Sequence, residues 1–346
     1  MKIITTVIIT LLAQCVNLQP TFDLERMSRS CVFGVKSVSM ILYNSEFPKG
    51  KVIELNETCD AIDPNKQIAF VTHGFISSAN RSMSFKLASE LYKKNYTVCA
   101  LDWSDAACTN GIPLVKFLGY PSAVKNTREV GELLAKFIKL VIEECKCSRD
   151  NITLIGHSLG AHVSGFAAKN IQKWCKGNIT RIIGLDPAAP FFSSNNCENR
   201  LCKTDADDVT IFRTSSLGMS LTYPVFSKRE PLGDKNFQFD DGLNQPGCNI
   251  DVACSHSRAI EYLIDILEGN AFPSTLVSPS VALADHTSKF KSFLFSSPVC
   301  PNRNTTDCTF VDDKILTGDI DDGNYYICVN KNSPYSVKEN SFSCQQ

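Results

Sequence analysis

The sequence predicts an α/β fold in which helices flank a mostly parallel central sheet. Short apolar runs typical of buried strands alternate with segments whose apolar residues recur at helical spacing. The strand-like runs are residues 67–72, 97–101, 152–155 and 181–185. The helical segments are residues 83–94, 128–144, 161–174 and 258–267. Buried strands that alternate with helices build βαβ crossovers, and such crossovers produce parallel strands.

The clearest helix lies at residues 128–144 (REVGELLAKFIKLVIEE), because its apolar residues fall on one side. From about residue 290 the pattern changes to cysteines, turn residues and short strand-like pieces such as residues 325–329. This region is shorter than the ~100 residues of an independent β-sandwich. We therefore expect one domain, residues 16–346, whose last part completes the sheet and ends in a short disulfide-tied tail.

The N-terminus has the features of a secretory signal peptide. Lys2 precedes an apolar stretch at residues 3–13, which is shorter than the roughly 20 residues that span a bilayer. Small residues then make cleavage near Cys15 plausible, so residues 1–15 are expected to be the signal. A buried N-terminal strand is the alternative. No later segment is long and apolar enough to be transmembrane, and we predict a secreted, extracellular protein.

Sixteen cysteines support this prediction, because the oxidising secretory route favours disulfides. For Cys145-Lys-Cys147, bridging or burial is favoured over a metal site, since no second ligand pair stands at zinc spacing. The net charge of −1 gives no field that would recruit nucleic acid. Glycosylation sequons begin at Asn56, Asn80, Asn95, Asn151, Asn178 and Asn304.

A candidate nucleophile lies in the stretch NITLIGHSLGAHVSGFAA at residues 151–168. Its first part resembles a strand and its last part a helix, and Ser158 stands between Gly156 and Gly160 where they meet. A sharp strand-to-helix turn exposes a serine hydroxyl, and flanking glycines keep the turn free of clashes. A helix N-terminus directly after the serine offers unpaired N–H groups to a developing oxyanion.

A serine needs a base, and the base needs a group that orients it. Asp186 follows the strand RIIGL, so it is expected at the carboxyl edge of the sheet, after the serine in the chain. Asp102 also ends a strand and is the alternative acid, although it precedes the serine. The order Ser, Asp, His is that of α/β hydrolases.

Five histidines are candidates for the base. His157 lies inside the turn, His162 on the following helix, His286 in a polar segment, and His73 in a loop whose backbone could serve an oxyanion. His256 follows two cysteines and stands just before the predicted helix at residues 258–267. A loop-borne, disulfide-tethered histidine downstream of Asp186 is the best base, which favours His256.

Four motifs together resemble the animal lipase family of pancreatic lipase. They are HGF at residues 73–75, GHSLGAH at 156–162, GLDPA at 184–188 and CSH at 254–256. The resemblance runs from about Cys31 to the C-terminus. It implies that Ser158 is the nucleophile, that Asp186 orients His256, and that His256 is the general base and acid. It also implies an oxyanion hole made by the backbone N–H groups of Phe75 and Leu159.

Two features resemble the secreted phospholipase A1 branch known from insects and wasp venoms. In the family a lid lies between two cysteines, here Cys248 and Cys254, and the five residues between them cannot form a covering helix. The C-terminal lipid-binding sandwich is also missing, so no colipase partner is expected. The resemblance further implies disulfides Cys248–Cys254, Cys197–Cys202 and Cys31–Cys108.

Two departures from this branch concern a loop and a metal. Residues 215–234 are close to full length, and their apolar side chains either line an acyl groove or pack in the core. The calcium site of the family is doubtful here, because Cys202 stands where an acidic ligand is expected and only Asp205 remains. We expect no metal and no cofactor.

The function implied is a secreted serine esterase that cleaves the sn-1 acyl ester of phospholipids at a membrane or micelle surface. The alternatives are a triacylglycerol or galactolipid lipase and, from another class, a non-catalytic lipid-binding or yolk-like protein. The complete Ser, Asp and His set argues against the last of these.

Overall fold

The computed structural model describes residues 31–109, 116–192, 196–218, 232–240, 242–276 and 308–336. The strands are β1 (Ser39–Tyr43), β2 (Lys51–Ile53), β3 (Ile68–Thr72), β4 (Thr97–Asp102), β5 (Ile152–His157), β6 (Arg181–Leu185), β7 (Asp208–Arg213), β8 (Lys235–Phe239), β9 (Phe272–Leu276), β10 (Cys308–Val311) and β11 (Gly323–Ile327). The helices are α1 (Thr58–Ala61), α2 (Ser82–Lys93), α3 (Tyr120–Glu143), α4 (Leu159–Cys175) and α5 (Val252–Leu267).

All these strands form one sheet, in the order β10-β9-β11-β8-β7-β6-β5-β3-β4-β1-β2. The strands from β11 to β4 in this order are parallel to their neighbours. The pairs at either end of the sheet are antiparallel. The predicted α/β fold with a mostly parallel sheet is therefore confirmed.

The helices cover both faces of the sheet, as the continuous apolar strands predict. In β3, Ile68 and Phe70 pack in one core with α3 and α4. Ala69 and Val71 point to the other face and pack in a second core with α2 and α5. Because successive side chains of a strand point to opposite faces, each strand contributes to both cores. Ser158 and Asp186, two predicted site residues, directly follow β5 and β6 at the carboxyl edge of the sheet.

The four predicted strands are present, and β11 overlaps the strand-like piece expected at residues 325–329, but the sequence patterns missed β1, β2, β7, β8, β9 and β10. Among these, β7 and β8 begin with charged residues, which normally argue against burial. Asp208 accepts from Arg181 Nε at 2.8 Å and from Lys235 Nζ at 2.8 Å. These three residues begin β6, β7 and β8, and each side chain is at most 12% exposed. Mutual ion pairing is what allows charged residues to start buried strands.

Four disulfides tie the described part of the chain: Cys31–Cys108, Cys59–Cys145, Cys197–Cys202 and Cys248–Cys254. The pair Cys59–Cys145 was not anticipated from the sequence. Cys147 is a buried free thiol, so the Cys145-Lys-Cys147 segment combines one bridge with one buried cysteine, as expected.

Several sequence predictions lie outside the described residues, namely the signal peptide at residues 1–15, His286, Asn304 and the apolar part of the loop at residues 219–231. Of the other sequons, Asn56, Asn80, Asn95 and Asn178 are exposed. Asn151 is half-buried and accepts from Gln67 Nε2 at 2.9 Å. Among the helices described, none has the length and apolarity needed to cross a bilayer.

Lys169 lies beside Asp205, the one acidic residue that remains where the resemblance to the lipase family implies a calcium site. The Lys169 ammonium contacts Asp205 Oδ1 and donates to the Arg200 carbonyl at 3.0 Å. The other carboxylate oxygen, Oδ2, accepts from the Cys202 N–H at 2.9 Å. Both oxygens of the remaining acid are therefore engaged, and Cys202 itself is bonded to Cys197. This set of residues does not fit a calcium ion, because an ammonium fills the place of the cation.

Breaking this pair should cost stability. Burial raises the pKa of Asp205 to about 6 and also lowers the pKa of Lys169. In Lys169→Met the carboxylate loses its counter-charge, so we expect about 3–5 kcal/mol less stability at pH 8 by urea unfolding. An acid whose pKa is raised by folding destabilises the folded state only where it is ionised. The deficit should therefore shrink as the pH falls from 8 to 5.

The matched control is Lys173→Met, one helical turn later on the exposed side of α4. It should unfold at nearly the urea concentration of the parent protein. Equal stability of the two variants would contradict the structural role of the ion pair. A parent protein that a chelator destabilises would show that a metal, rather than Lys169, neutralises Asp205.

Candidate active site

Ser158 lies in a strained turn between β5 and α4. Its backbone angles are φ 58° and ψ −120°, a region that residues other than glycine rarely occupy. The residue is 6% exposed. Such strain persists only where the surrounding structure imposes it, and it is concentrated at functional sites. The turn places the serine hydroxyl at the carboxyl edge of the sheet, between the end of β5 and the start of the helix.

Gly156 and Gly160 must lack side chains, because at each of them the backbone packs directly against another stretch of backbone. A Cβ atom at Gly156 would lie 2.3 Å from the Gly160 carbonyl oxygen. A Cβ atom at Gly160 would lie 2.2 Å from the Thr72 carbonyl oxygen, on the neighbouring strand β3. No side chain fits at these distances without moving the backbone. The spacing Gly-x-Ser-x-Gly thus reflects how closely α4 begins against β5 and β3.

Asp186 is a fully buried carboxylate at the end of β6. Its Oδ1 accepts from the backbone N–H groups of Thr214 at 2.9 Å and Ser215 at 3.2 Å. Its Oδ2 accepts from the Ser215 hydroxyl at 2.5 Å and contacts His256 Nδ1 at 2.5 Å. Gly218 also packs directly against this carboxylate, since a Cβ atom at Gly218 would lie 2.1 Å from Asp186 Oδ1. These contacts hold the carboxylate in one orientation toward the imidazole.

His256 reaches Asp186 from a helix, so the expectation of a loop-borne histidine was wrong. The helix α5 begins at Val252 rather than at residue 258, and its first turns include His256. The Asp251 carboxylate caps this helix by accepting from the Cys254 N–H at 3.0 Å. An N-cap of this kind is invisible to apolar spacing, which is why the helix start was misplaced. The disulfide Cys248–Cys254 lies just before the histidine, as expected.

Asp102, the alternative acid, has a different environment. Its carboxylate accepts from the N–H groups of Ala79 at 3.1 Å and Ser104 at 2.9 Å. His73 lies beside it, and the His73 Nε2 accepts from the Trp103 N–H at 3.1 Å. Asp102 therefore shapes the loops around His73, and the contacts to His256 come from Asp186.

The loop that carries Phe75 packs directly on Ser158. A Cβ atom at Gly74 would lie 2.7 Å from Ser158 Cβ and 3.3 Å from its Oγ. The His73 ring keeps this loop in place, since its Nδ1–H donates to the Gly74 carbonyl at 2.9 Å. Leu159 is the first residue of α4, so its N–H has no acceptor within the helix. Phe75 directly follows Gly74, which packs on Ser158, and Leu159 directly follows Ser158. The backbone N–H groups of both residues therefore lie close to Ser158.

Two further histidines position the site and are held neutral. The His157 Nε2–H donates to the His256 carbonyl at 3.0 Å, and the two rings lie 4.5 Å apart between centroids. Burial lowers the pKa of His157 to about 3. His162 donates to the Ala188 carbonyl at 2.8 Å and stacks on Phe192, and burial lowers its pKa to about 3 as well. His162 is therefore a fully buried, packed residue of α4.

Sequence reasoning missed Ser215 and the role of His157. Ser215 follows β7, the strand beside β6, so its position at the same sheet edge as Asp186 could be inferred once β7 is recognised. His157 was considered only as a possible base. Its contact with the carbonyl of His256 joins residues that are 99 positions apart, and no local pattern reports such a contact.

Known proteins provide an independent comparison. A family model described as Lipase matches residues 34–335. The Phospholipase A1 of Dinoponera quadriceps is 39% identical over 334 residues, 93% of this chain and 82% of the relative. The Phospholipase A1 of Solenopsis invicta is 37% identical over 301 residues, 85% of this chain and 84% of the relative.

Among solved structures, an a/b serine hydrolase without lid from Xanthomonas campestris shares 13% identity, with a TM-score of 0.35. The similarity covers 58% of this chain and 82% of that chain. The extent of the family match and the identity to the two relatives lead to one conclusion. The chain belongs to the lipase family, and it is an ester hydrolase with the α/β-hydrolase fold.

Proposed function

We propose that this protein is a secreted phospholipase A1 that hydrolyses the sn-1 acyl ester of phospholipids through Ser158, His256 and Asp186. The observation that carries the proposal is the contact of His256 Nδ1 with the buried Asp186 carboxylate at 2.5 Å, at the sheet edge where Ser158 stands in its strained turn. The two relatives named Phospholipase A1 support the substrate class. The disulfides and the apolar N-terminal stretch support secretion.

In this mechanism Asp186 holds the Nδ1–H of His256, which leaves Nε2 as the base for the Ser158 hydroxyl. Ser158 Oγ attacks the acyl carbonyl, and its proton passes to His256. The tetrahedral oxyanion accepts from the N–H groups of Phe75 and Leu159, and one such donor is typically worth about 10²–10³ in rate. His256 then protonates the leaving alkoxide of the lysophospholipid. Water, activated by the same histidine, hydrolyses the acyl-enzyme.

The segment between Cys248 and Cys254 favours a phospholipid substrate. Only three residues separate Cys248 from the first helical residue, Val252, so this segment forms a turn and not a covering helix. Since this described segment places no helix over the site, a lipid with a polar head group does not need it to open before binding. The second candidate is a triacylglycerol or galactolipid lipase, which the nearly full-length loop at residues 215–234 favours. No colipase is required by this proposal.

A non-catalytic lipid-binding role is a poorer explanation of the site. A carrier has no need for a strained serine or for a buried acid that contacts a histidine. Here both features occur together, with Ser215 and His157 adding contacts to the same acid and histidine.

The first prediction concerns the nucleophile. Ser158→Ala should lower ester turnover by about 10⁶-fold, because the acyl-enzyme cannot form. The fold should persist, since a smaller side chain fits the turn. Initial rates on phosphatidylcholine and circular dichroism measure the two effects. Ser82→Ala, at an exposed serine at the start of α2, is the control and should keep full activity. Undiminished turnover in Ser158→Ala would refute the assignment.

The second prediction concerns Ser215, whose hydroxyl shares Asp186 Oδ2 with His256. Ser215→Ala removes one donor from the carboxylate, so the carboxylate should orient the imidazole less firmly, and kcat should fall about tenfold with KM little changed. Ser216→Ala changes the adjacent, exposed serine and should behave as the parent protein. Equal kcat values for both variants would show that Ser215 does not position the acid.

The third prediction concerns the substrate. The purified protein should release the sn-1 fatty acid from long-chain phosphatidylcholine and should leave a triacylglycerol of the same acyl chain uncleaved. The reason is the short turn between Cys248 and Cys254. Comparable rates on both lipids would instead assign the protein as a lipase and give the deciding role to the loop at residues 215–234.

A further inference from the structure

We propose that Gln245 is a positioning residue of the active site, which holds the segment around the acid and the helix of the base at a fixed separation. The inference rests on the proposed function, because it takes Asp186 and His256 as the acid and the base of the reaction. It adds a residue that acts on both of them through the parts of the chain that hold them.

Gln245 is buried in the interior, with an exposed fraction of 2%, although glutamine is mostly a surface residue. Its side-chain Nε2 donates to the Thr214 carbonyl at 2.9 Å and to the Phe239 carbonyl at 2.8 Å. Its Oε1 accepts from the Tyr262 hydroxyl at 2.7 Å. An amide nitrogen has two hydrogens, and both are used here. Because carbonyl oxygens only accept, the nitrogen must face the two carbonyls, and the amide has one orientation.

The bond to Thr214 reaches the acid through a single peptide group. The Thr214 carbonyl and the Ser215 N–H belong to the same planar unit. That N–H donates to Asp186 Oδ1 at 3.2 Å, and the Thr214 N–H donates to the same oxygen at 2.9 Å. A donor on the carbonyl of a peptide group polarises the group and strengthens the bond made by its N–H. Gln245 therefore both places and polarises the peptide group that holds the carboxylate.

Gln245 is also bonded to the helix that carries the base. Its backbone N–H donates to Ser255 Oγ at 3.0 Å, and the fully buried Ser255 immediately precedes His256 on α5. Tyr262, the donor to Oε1, lies seven residues after Ser255 on the same helix. Seven residues are about two helical turns, so both contacts lie on one face of α5. A shift of α5 relative to Thr214 would stretch at least one of these bonds.

The separation of the acid and the base needs such a link, because they lie on different elements. Asp186 follows β6, whereas His256 lies on α5, and their contact at 2.5 Å joins positions 70 residues apart. Thr214 follows β7 and Phe239 ends β8, so the amide of Gln245 joins two strand ends to the helix. A misplacement of about 1 Å in a catalytic group can cost about a hundredfold in rate.

The first test breaks the side-chain bonds of Gln245. Gln245→Met keeps the length of the side chain and removes its hydrogen bonds. On a soluble short-chain ester, kcat should fall about tenfold to a hundredfold, with KM little changed. The matched control, Tyr262→Phe, removes only the bond to Oε1 and should keep kcat near that of the parent protein. Both variants leave buried polar groups unpaired and lose stability, so their kcat values separate positioning from stability.

The second test breaks the bond on the helix side. Ser255→Ala removes the acceptor of the Gln245 N–H, and kcat should fall about threefold to tenfold, as expected for one hydrogen bond. Ser257→Ala changes the serine on the other side of His256 and should keep the kcat of the parent protein.

Proton NMR reports the geometry directly. The proton between His256 Nδ1 and Asp186 should give a far-downfield signal, which should move upfield in Gln245→Met and stay in place in Tyr262→Phe. An unmoved signal together with equal kcat values for these two variants would overturn the proposal. If Gln245→Met does not fold, equal kcat values for Ser255→Ala and Ser257→Ala would overturn it. The signal requires no turnover, so a parent protein that cleaves no ester would refute the proposed function while the signal still decides the role of Gln245.

Discussion

The close approach of α4 to β3 and β5 is the constraint on which the site depends. At Gly156 and Gly160 the backbones meet at distances that leave no room for a Cβ atom. This packing fixes where the helix begins, and the position of Ser158 between the strand and the helix forces its positive φ of 58°. Strain of this kind costs about 1–3 kcal/mol, which the two surrounding cores offset. The orientation of the hydroxyl and the helix N–H groups follows from the same packing.

The second organising element is the Asp186 carboxylate, which bonds to residues that follow a neighbouring strand and to a residue of a helix. It accepts from two N–H groups beyond β7 and contacts a histidine of α5, so one buried charge joins β6, β7 and α5. Burying an ionised carboxylate is costly unless several donors surround it, and four donors do so here. His157 and His162 remain neutral because burial disfavours their charged forms. They can therefore act as fixed hydrogen-bond donors beside the site.

Covalent and ionic bonds together fix the segment at residues 196–206. The Lys169–Asp205 pair holds this segment against α4, and the disulfide Cys197–Cys202 closes a loop within it. His162 joins the same region, since its Nδ1 accepts from the Leu201 N–H at 3.1 Å. His162 also donates to the Ala188 carbonyl, so it joins α4 to the loop that follows Asp186.

By itself, the sequence determined the class of fold, because buried strands and amphipathic helices have distinct apolar periods. The strands before Ser158 and Asp186 could be located for the same reason, and the motifs around them indicated the family. Tertiary structure alone decided the features that join distant parts of the chain. Examples are the charged starts of β7 and β8, the Cys59–Cys145 bridge, and the contacts of Ser215 and His157 with the acid and the histidine. Such contacts satisfy buried polar groups across long separations, and local sequence patterns carry no record of them.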